Sequence, residues 1–337
     1  MKLLKYVLKR LALLVPVMIG VTVLTFCISH MVPSNPAAVA LGPHATDETI
    51  KALQKEWGLD RPVYVQYLIY IRNLCKGDLG TSLRTNRPVQ KDLKDYFPAT
   101  LELTIASLLF SLLVGLPLGV LSAVNKDRLI DHTSRFISLI GVSMPVFWLG
   151  LLMILAFYFY CGLLPGGGRL PPTATPPSFI TGLYILDSLL TANWVTLKQS
   201  VLHIIMPMTC LGFAILGVIS RMMRSSMLNV LNEDYMKTAY AKGLCPTIVI
   251  FTHAMKNAIL PVITISGVLF GQLLAGAVLT ETIFSWPGMG LYTINSIMHL
   301  DFQPIMGFTV LVAVLYVMIN LFVDILYVFF DPRIRLD

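Results

Sequence analysis

Residues 232–261, NEDYMKTAYAKGLCPTIVIFTHAMKNAILP, form a polar island between an apolar run at 201–220 and another beginning at 258. Each of those runs is long enough to cross a bilayer, so the island decides how the flanking chain is arranged. Asn232 can cap a short helix, and Glu233 and Asp234 fall in its first turn, where the helix dipole favours negative charge. Lys242 closes the last turn, Gly243 offers a left-handed stop, and Pro246 stands where a second helix can begin. Ala239, Ala241 and Gly243, with Thr238, supply small side chains beside Tyr235 and Lys237. The expectation is a short helix whose small face seats in a groove on a partner surface.

Composition sets the class of the rest. The 337 residues are 56% hydrophobic and only 13% charged, with a mean hydropathy of +0.75, which is too apolar for an ordinary soluble globule. The net charge of +7 does not indicate nucleic acid, because the basic residues are scattered and lie beside apolar runs. Cys27, Cys75, Cys161, Cys210 and Cys245 include no CxxC pair and no histidine at metal-ligand spacing, so neither a zinc site nor a disulfide framework is expected. A GxxxxGK[ST] phosphate loop is absent, and any ATP acting on this protein must be bound by another chain.

Taken in order, residues 1–31 are basic and then apolar, and read as an uncleaved first membrane helix. Residues 32–97 hold Pro33, Pro36 and Pro43, a helix after Thr46 and no apolar stretch of spanning length, and are expected as a small ordered extracytoplasmic segment. Residues 98–337 form a five-helix core with spans near 98–124, 136–160, 201–220, 258–280 and 305–330, and a polar loop at 221–257. The whole is an all-α membrane protein with six transmembrane helices. The Gly- and Pro-rich run at 161–200 ends in an apolar segment too brief to span, expected at the membrane surface. Short loops on the side of the termini carry fourteen Lys and Arg against two, Arg169 and Lys198, on the other. That bias puts both termini and the loop at 221–257 in the cytoplasm.

Within the spans, Gly115 with Gly119 and Gly267 with Gly271 have the spacing of close helix contacts. Pro16, Pro117, Pro145 and Pro207 are read as packing features tolerated where neighbours re-satisfy the backbone. Asp78, in GDLG, is read as turn chemistry. Trp286 and Tyr292 are read as interfacial anchors.

KTAYAKG at 237–243 followed by NAILP at 257–261 resembles the EAA loop of ABC importer permeases, which docks as a coupling helix on an ATP-hydrolysing subunit. Lys237 replaces the Glu of the family's name and Thr238 its first Ala, while Ala239, Gly243, Leu260 and Pro261 fit. These departures are similar to the peptide and nickel branch, with TARAKGL and RNALLP. GLD at 58–60, GDLG at 77–80, PATLEL at 98–103, LTETIFSWPGMG at 279–290, DFQP at 301–304 and the ending DPRIR also resemble peptide-type permeases, and PSNP at 33–36 stands where many relatives have PGDP. The resemblance runs over essentially the whole chain.

It implies the type I ABC importer permease (MetI-like) fold in a bacterial cytoplasmic membrane, and the role of first permease subunit of a dipeptide or oligopeptide importer. The implied partners are a second homologous permease, two ATP-binding subunits carrying ATP and magnesium, an extracytoplasmic substrate-binding protein and membrane lipid. No cofactor is expected in this chain and no nucleic acid. Contact with the ATPase is implied for Glu233, Asp234, Tyr235, Lys237, Thr238, Ala239, Ala241, Lys242 and Gly243, with Leu260 and Pro261 ending the loop. Nickel-chelate, glutathione and haem importers share the scaffold and stand as alternatives. An ion-driven secondary transporter is disfavoured because Glu102, Glu281 and Asp324 sit near span ends. An enzyme is disfavoured because HExxH and GxSxG are absent and the six histidines are dispersed.

The charge bias gives a direct expectation for single-cysteine variants treated with an impermeant maleimide in spheroplasts. Cys75 and Cys161 should label at once and Cys245 only after lysis; the reverse order would invert the topology.

Overall fold

The computed structural model describes residues 2–31, 36–42 and 45–330. Pro33, Ser34 and Asn35 of PSNP, Pro43 and the DPRIR ending with Arg333 and Arg335 lie outside the described residues. The chain runs through α1 (Lys2–Met31), α2 (Pro36–Leu41), α3 (Asp47–Glu56), α4 (Val63–Cys75), α5 (Val89–Val124), α6 (Leu129–Ser143) and α7 (Val146–Met153), which continues as a π-helical turn over Ile154–Tyr160. Next come α8 (Tyr184–Leu190), α9 (Trp194–Leu231), α10 (Asp234–Ala241) and α11 (Pro246–Ile248), which passes through a second π-helical segment, Val249–Ala254, into α12 (Met255–Ala258). The last four are α13 (Leu260–Gly276), α14 (Val278–Ile283), α15 (Met289–Met298) and α16 (Phe302–Phe330). Among the described residues the β-type pairing is a single bridge, Thr81 to Pro88.

Four helices are individually long and apolar enough to cross a membrane: α1, α5, α9 and α16. Two more spans arise if each bent pair counts as one, α6 with α7 at 103° and α11–α12 with α13 at 50°. The third span, expected straight over 136–160, is therefore broken. Pro145 forces the preceding residue out of the helical region, and Met144 sits at φ −82°, ψ 124°. Helices α5 and α9 are longer than expected because their ends are polar. α5 begins nine residues before Pro98, with Val89 and Leu93 buried against Met289 and Tyr292. α9 begins at Trp194, where Asn193 accepts a hydrogen bond from the Thr196 amide at 3.1 Å.

The central contact is between α5 and α9, and its chemistry is a stripe of small residues on α5: Thr100, Thr104, Ser107, Ser111, Gly115 and Gly119, all buried. The hydroxyls of Thr104, Ser107 and Ser111 each donate to the carbonyl four residues back at 2.7 Å, and Ser111 also donates to the Gly212 carbonyl of α9 at 2.7 Å. With side chains folded onto their own backbone, the helices approach until glycine is needed at the crossing. A Cβ at Gly119 would stand 2.6 Å from Met223 Cβ and from the Ser220 carbonyl oxygen. Gly267 and Gly271 face Val323 and Tyr316 of α16 in the same way, so the glycine pairs do serve helix packing.

At the end of the bundle remote from α10, the stretch 279–290 folds back over α5. Thr100 Oγ1 donates to Glu281 Oε1 at 2.7 Å and accepts from the Met289 amide at 2.8 Å, while the Leu291 amide donates to Glu281 Oε2 at 3.0 Å. A fully buried carboxyl group thus occupies the N-terminus of α15, where backbone donors converge. Burial pushes this carboxyl, beyond the apolar run Leu260–Ala275, up to about 7, and the Thr100 hydroxyl and the Leu291 and Gly290 amides offset only part of that rise. Trp286 Nε1 donates to the Ala99 carbonyl at 2.8 Å, and the Tyr292 hydroxyl to Asp92 Oδ2 at 3.0 Å. Both rings are 1% exposed, which corrects their reading as interfacial anchors. Arg169 from the 161–193 loop pairs with Glu102, donates to the Gly182 carbonyl and lies 3.5 Å over the Tyr184 ring, pinning that loop to α5. Within the loop, Asp187 accepts from the Thr181 hydroxyl and from the amides of Ile180, Thr181 and Gly182. Burial alone would raise its carboxyl, but these donors outweigh it and hold it below the usual range.

The crossing makes a quantitative expectation. Gly119→Ala should lower the melting temperature of the detergent-solubilised protein by an amount equivalent to about 1–3 kcal/mol of overpacking. Gly20→Ala on α1, whose Cβ would meet nothing within 4 Å, should leave it unchanged or slightly raised. Equal effects at the two sites would refute the close-contact account.

Candidate functional site: the loop joining α9 to α13

The loop begins one residue later than its sequence suggests. Asn232 closes α9 in helical conformation, with its side-chain Nδ2 donating to the Leu228 carbonyl at 2.9 Å. Glu233 takes the extended cap position at φ −68°, ψ 148°, and Asp234 alone is the acid in the first turn of α10. Its carboxylate meets Lys237 Nζ at 2.8 Å, an exposed pair that contributes little. Lys242 caps the C-terminus, and Gly243 at φ +76° turns the chain so that its amide donates to the Tyr240 carbonyl at 2.9 Å. A Cβ there would meet nothing, so the requirement for glycine is conformational and not spatial. Pro246 then opens α11 as expected.

Helical phase decides which side chains face outward. Met236 and Ala239, three residues apart, share one face and are buried with Val249, Ala254 and Ala258 against Met223 and Met227 of α9. Ala241 lies about 200° around the axis from Ala239. The small face expected over Ala239, Ala241 and Gly243 is therefore split: Ala239 is 8% exposed and turned into its own chain, whereas Ala241 and Gly243 are exposed. Thr238 and Lys242 are also exposed, as are Tyr235, Tyr240, Ile248 and Phe251. Asn257 Nδ2 donates to the Tyr235 hydroxyl at 2.9 Å, bracing α10 against α12. Leu260 and Pro261 form the first turn of α13, next to the 50° bend, and mark where the span resumes.

Behind the loop stands a clamp that the sequence reading missed. Asp131 at the start of α6 is fully buried and accepts both Nε and Nη2 of Arg224 of α9 at 2.7 Å, together with the Ser122 hydroxyl and the Asp127 amide. In sequence Arg224 is one of the fourteen basic residues on the side of the termini. The pair ties α5, α6 and α9 together ten residues before α10, and removing either partner strands a buried charge. The one sequence signal was Ser122, Asp131 and Arg224 recurring at the ends of three spans on the same side. Among the described residues no group of three His, Cys, Asp or Glu could hold a metal ion.

Residues 115–336 match the family described as binding-protein-dependent transport system inner membrane component, and residues 3–104 match its N-terminal family. A probable D,D-dipeptide transport system permease protein of Escherichia coli K12 is 48% identical over 321 residues, covering 95% of this chain and 94% of that protein. A dipeptide transport system permease protein of Alkalihalophilus pseudofirmus is 45% identical, covering 98% and 99%. In structure, the chain is similar to a subunit of the inward-facing MetNI methionine ABC transporter, with a TM-score of 0.52 at 17% identity over 69% of this chain and 93% of that one. The shared fold, the full-length sequence matches and the two family matches together show that this chain belongs to the inner-membrane permease family of binding-protein-dependent ABC importers.

Proposed function

We propose that this chain forms part of the translocation pathway of an ATP-driven importer for dipeptides or short oligopeptides. Its partners in this reading are a second homologous permease, two ATP-binding subunits and an extracytoplasmic substrate-binding protein. The observation that carries the coupling role is the loop at 232–257: its root, Met236 and Ala239, is packed into the permease core, while its outer face is exposed and partly apolar. Such a rooted knob suits transmission of force, since motion imposed on the exposed face moves the span it grows from. The basic residues on the loop and the N-terminal segment support a cytoplasmic position for both. The names of the full-length relatives support a peptide cargo.

On this reading, ATP-driven closure of the two ATPases displaces α10, and α9 carries the displacement toward the opposite end of the bundle. Tyr235, Thr238, Tyr240, Ala241 and Lys242 of α10, with Phe251, are the residues placed to touch the ATPase. Glu233 and Asp234 start the helix, and Gly243 sets the angle at which it ends.

The inner and outer faces of α10 make separate predictions. Ala241→Asp and Phe251→Asp change exposed positions and should leave the melting temperature of the isolated permease within an equivalent of about 0.5 kcal/mol. They should nevertheless abolish co-purification of the ATPases, or the stimulation of ATP hydrolysis by dipeptide-loaded binding protein. Ala239→Asp buries a charge, should cost several kcal/mol, and should lower the melting temperature itself. Normal assembly and normal stimulation in both Ala241→Asp and Phe251→Asp would remove this face as the docking surface.

A further inference from the structure

The segment between α1 and α5 does not form a globular unit of its own: α3 and α4 have no buried residue. Helix α4 reads VYVQYLIYIRNLC and carries a single charge, Arg72, with Asp60 and Arg61 before it and Lys76 after. One side faces α1. The Tyr67 hydroxyl lies 3.1 Å from Thr22 Oγ1, the Tyr67 ring packs edge-on against Phe26 at 5.3 Å, the Tyr70 ring stacks on Phe26 at 6.0 Å, and Gln66 Oε1 lies 3.1 Å from His30 Nε2. Thr22 and Phe26 are buried where α4 meets α1, while α1 packs along α16 and leaves Leu13, Val15, Val17, Val23, Leu24 and Ile28 exposed. Among the described residues the other side of α4 has no partner, and Val63 is 57%, Tyr64 70% and Leu68 63% exposed.

The depth of those contacts along α1 indicates what covers that side. Arg10, paired with Asp324 of α16 at 2.7 Å, marks the basic end of the span. Thr22 and Phe26 lie about 18 Å and about 24 Å further along at the helical rise, inside a hydrocarbon layer of about 30 Å. Tyr67 reaches both residues with its long side chain while Gln66 meets His30, about 30 Å from Arg10, so α4 lies at the outer boundary of that layer with this face reaching into it. At 13 residues it is too short to cross, and both its ends lead back to the same side. Its open side continues the exposed apolar surface of α1 at Val23, Leu24 and Ile28. The tyrosines and the flanking charges suit a helix lying in the headgroup boundary, with Arg72 reaching outward.

We infer that α4 is an interfacial helix whose Val63, Tyr64 and Leu68 side is immersed in the lipid leaflet at the end opposite the α9–α13 loop, locking α1 to that leaflet through Phe26. The inference rests on the membrane placement of α1 and on neither the cargo nor the ATPase contact.

The test uses the full-length chain, with its five native cysteines replaced by serine or alanine, in phosphatidylethanolamine and phosphatidylglycerol vesicles. A bimane probe is attached at Leu68→Cys, at Tyr64→Cys, at Leu24→Cys on α1 and at Lys51→Cys on α3, and quenched by nitroxides at set depths on the lipid chains or by iodide in water. Leu68 and Tyr64 should be quenched by shallow lipid nitroxides nearly as strongly as Leu24, and by iodide at least about fivefold less than Lys51, as for a side chain withdrawn into the acyl boundary. Lipid quenching at Leu24 without lipid quenching at Leu68 and Tyr64 would overturn the inference, whether iodide reaches them or protein shields them. Failure at Leu24 as well would overturn the membrane placement of α1 and the inference with it.

Discussion

The structure depends on how closely α5 and α9 approach one another. Two apolar helices gain little from hydrophobic association inside a bilayer, where lipid tails are as apolar as leucine, so their contact must come from packing and interhelical hydrogen bonds. The stripe from Thr100 to Gly119 meets that demand by keeping side chains small and turning hydroxyls back onto the helix or onto Gly212. A larger residue at the crossing meets backbone, which cannot yield as a flexible side chain can.

Both ends of this crossing are tied by buried polar side chains, one of them an ion pair. At one end Thr100, the first residue of the stripe, holds Glu281 and the amide of Met289, so that the α14–α15 turn is fastened to α5. At the other, Asp131 and Arg224 fasten α6 to α9, with Ser122 of α5 as a third member. Between the two ties α5 and α9 are in close contact along the small-residue stripe, and the α10 loop grows directly from the end of α9. On the proposed reading, a push on that loop would be delivered to a unit that includes the opposite end of the bundle. This arrangement gives physical content to coupling over a long distance, because the connecting element is a packed helix and not a chain of separate contacts.

Local rules explain which parts could be read from residues alone. Gly243 and Pro246 were legible because a left-handed stop and a helix-opening proline are decided within a few residues, and Gly119 because close crossing has a short spacing signature. The break at Pro145 was obscured by reading 136–160 as a hydropathy window, which registers length and apolarity but no direction. The inward turn of Ala239 was implicit in its spacing from Met236, yet only the buried pocket between α9 and Val249 shows which face is the root. Trp286, Tyr292 and Glu281 were misplaced or left as span-end groups because their partners, Ala99, Asp92 and Thr100, lie nearly 200 positions away in the chain. The Asp131–Arg224 pair was hidden for the same reason.

The central claim is that α9 and its loop move as one rigid lever. Spin labels at Cys245 in the loop after α10 and at Trp194 at the far end of α9 report this directly by double electron–electron resonance in the transporter assembled with its ATPase subunits. The account predicts a single narrow distance that is the same without nucleotide and with ATP trapped. A distance that shifts or broadens between those two states would mean that the loop flexes on α9 instead of driving it, and would contradict the account.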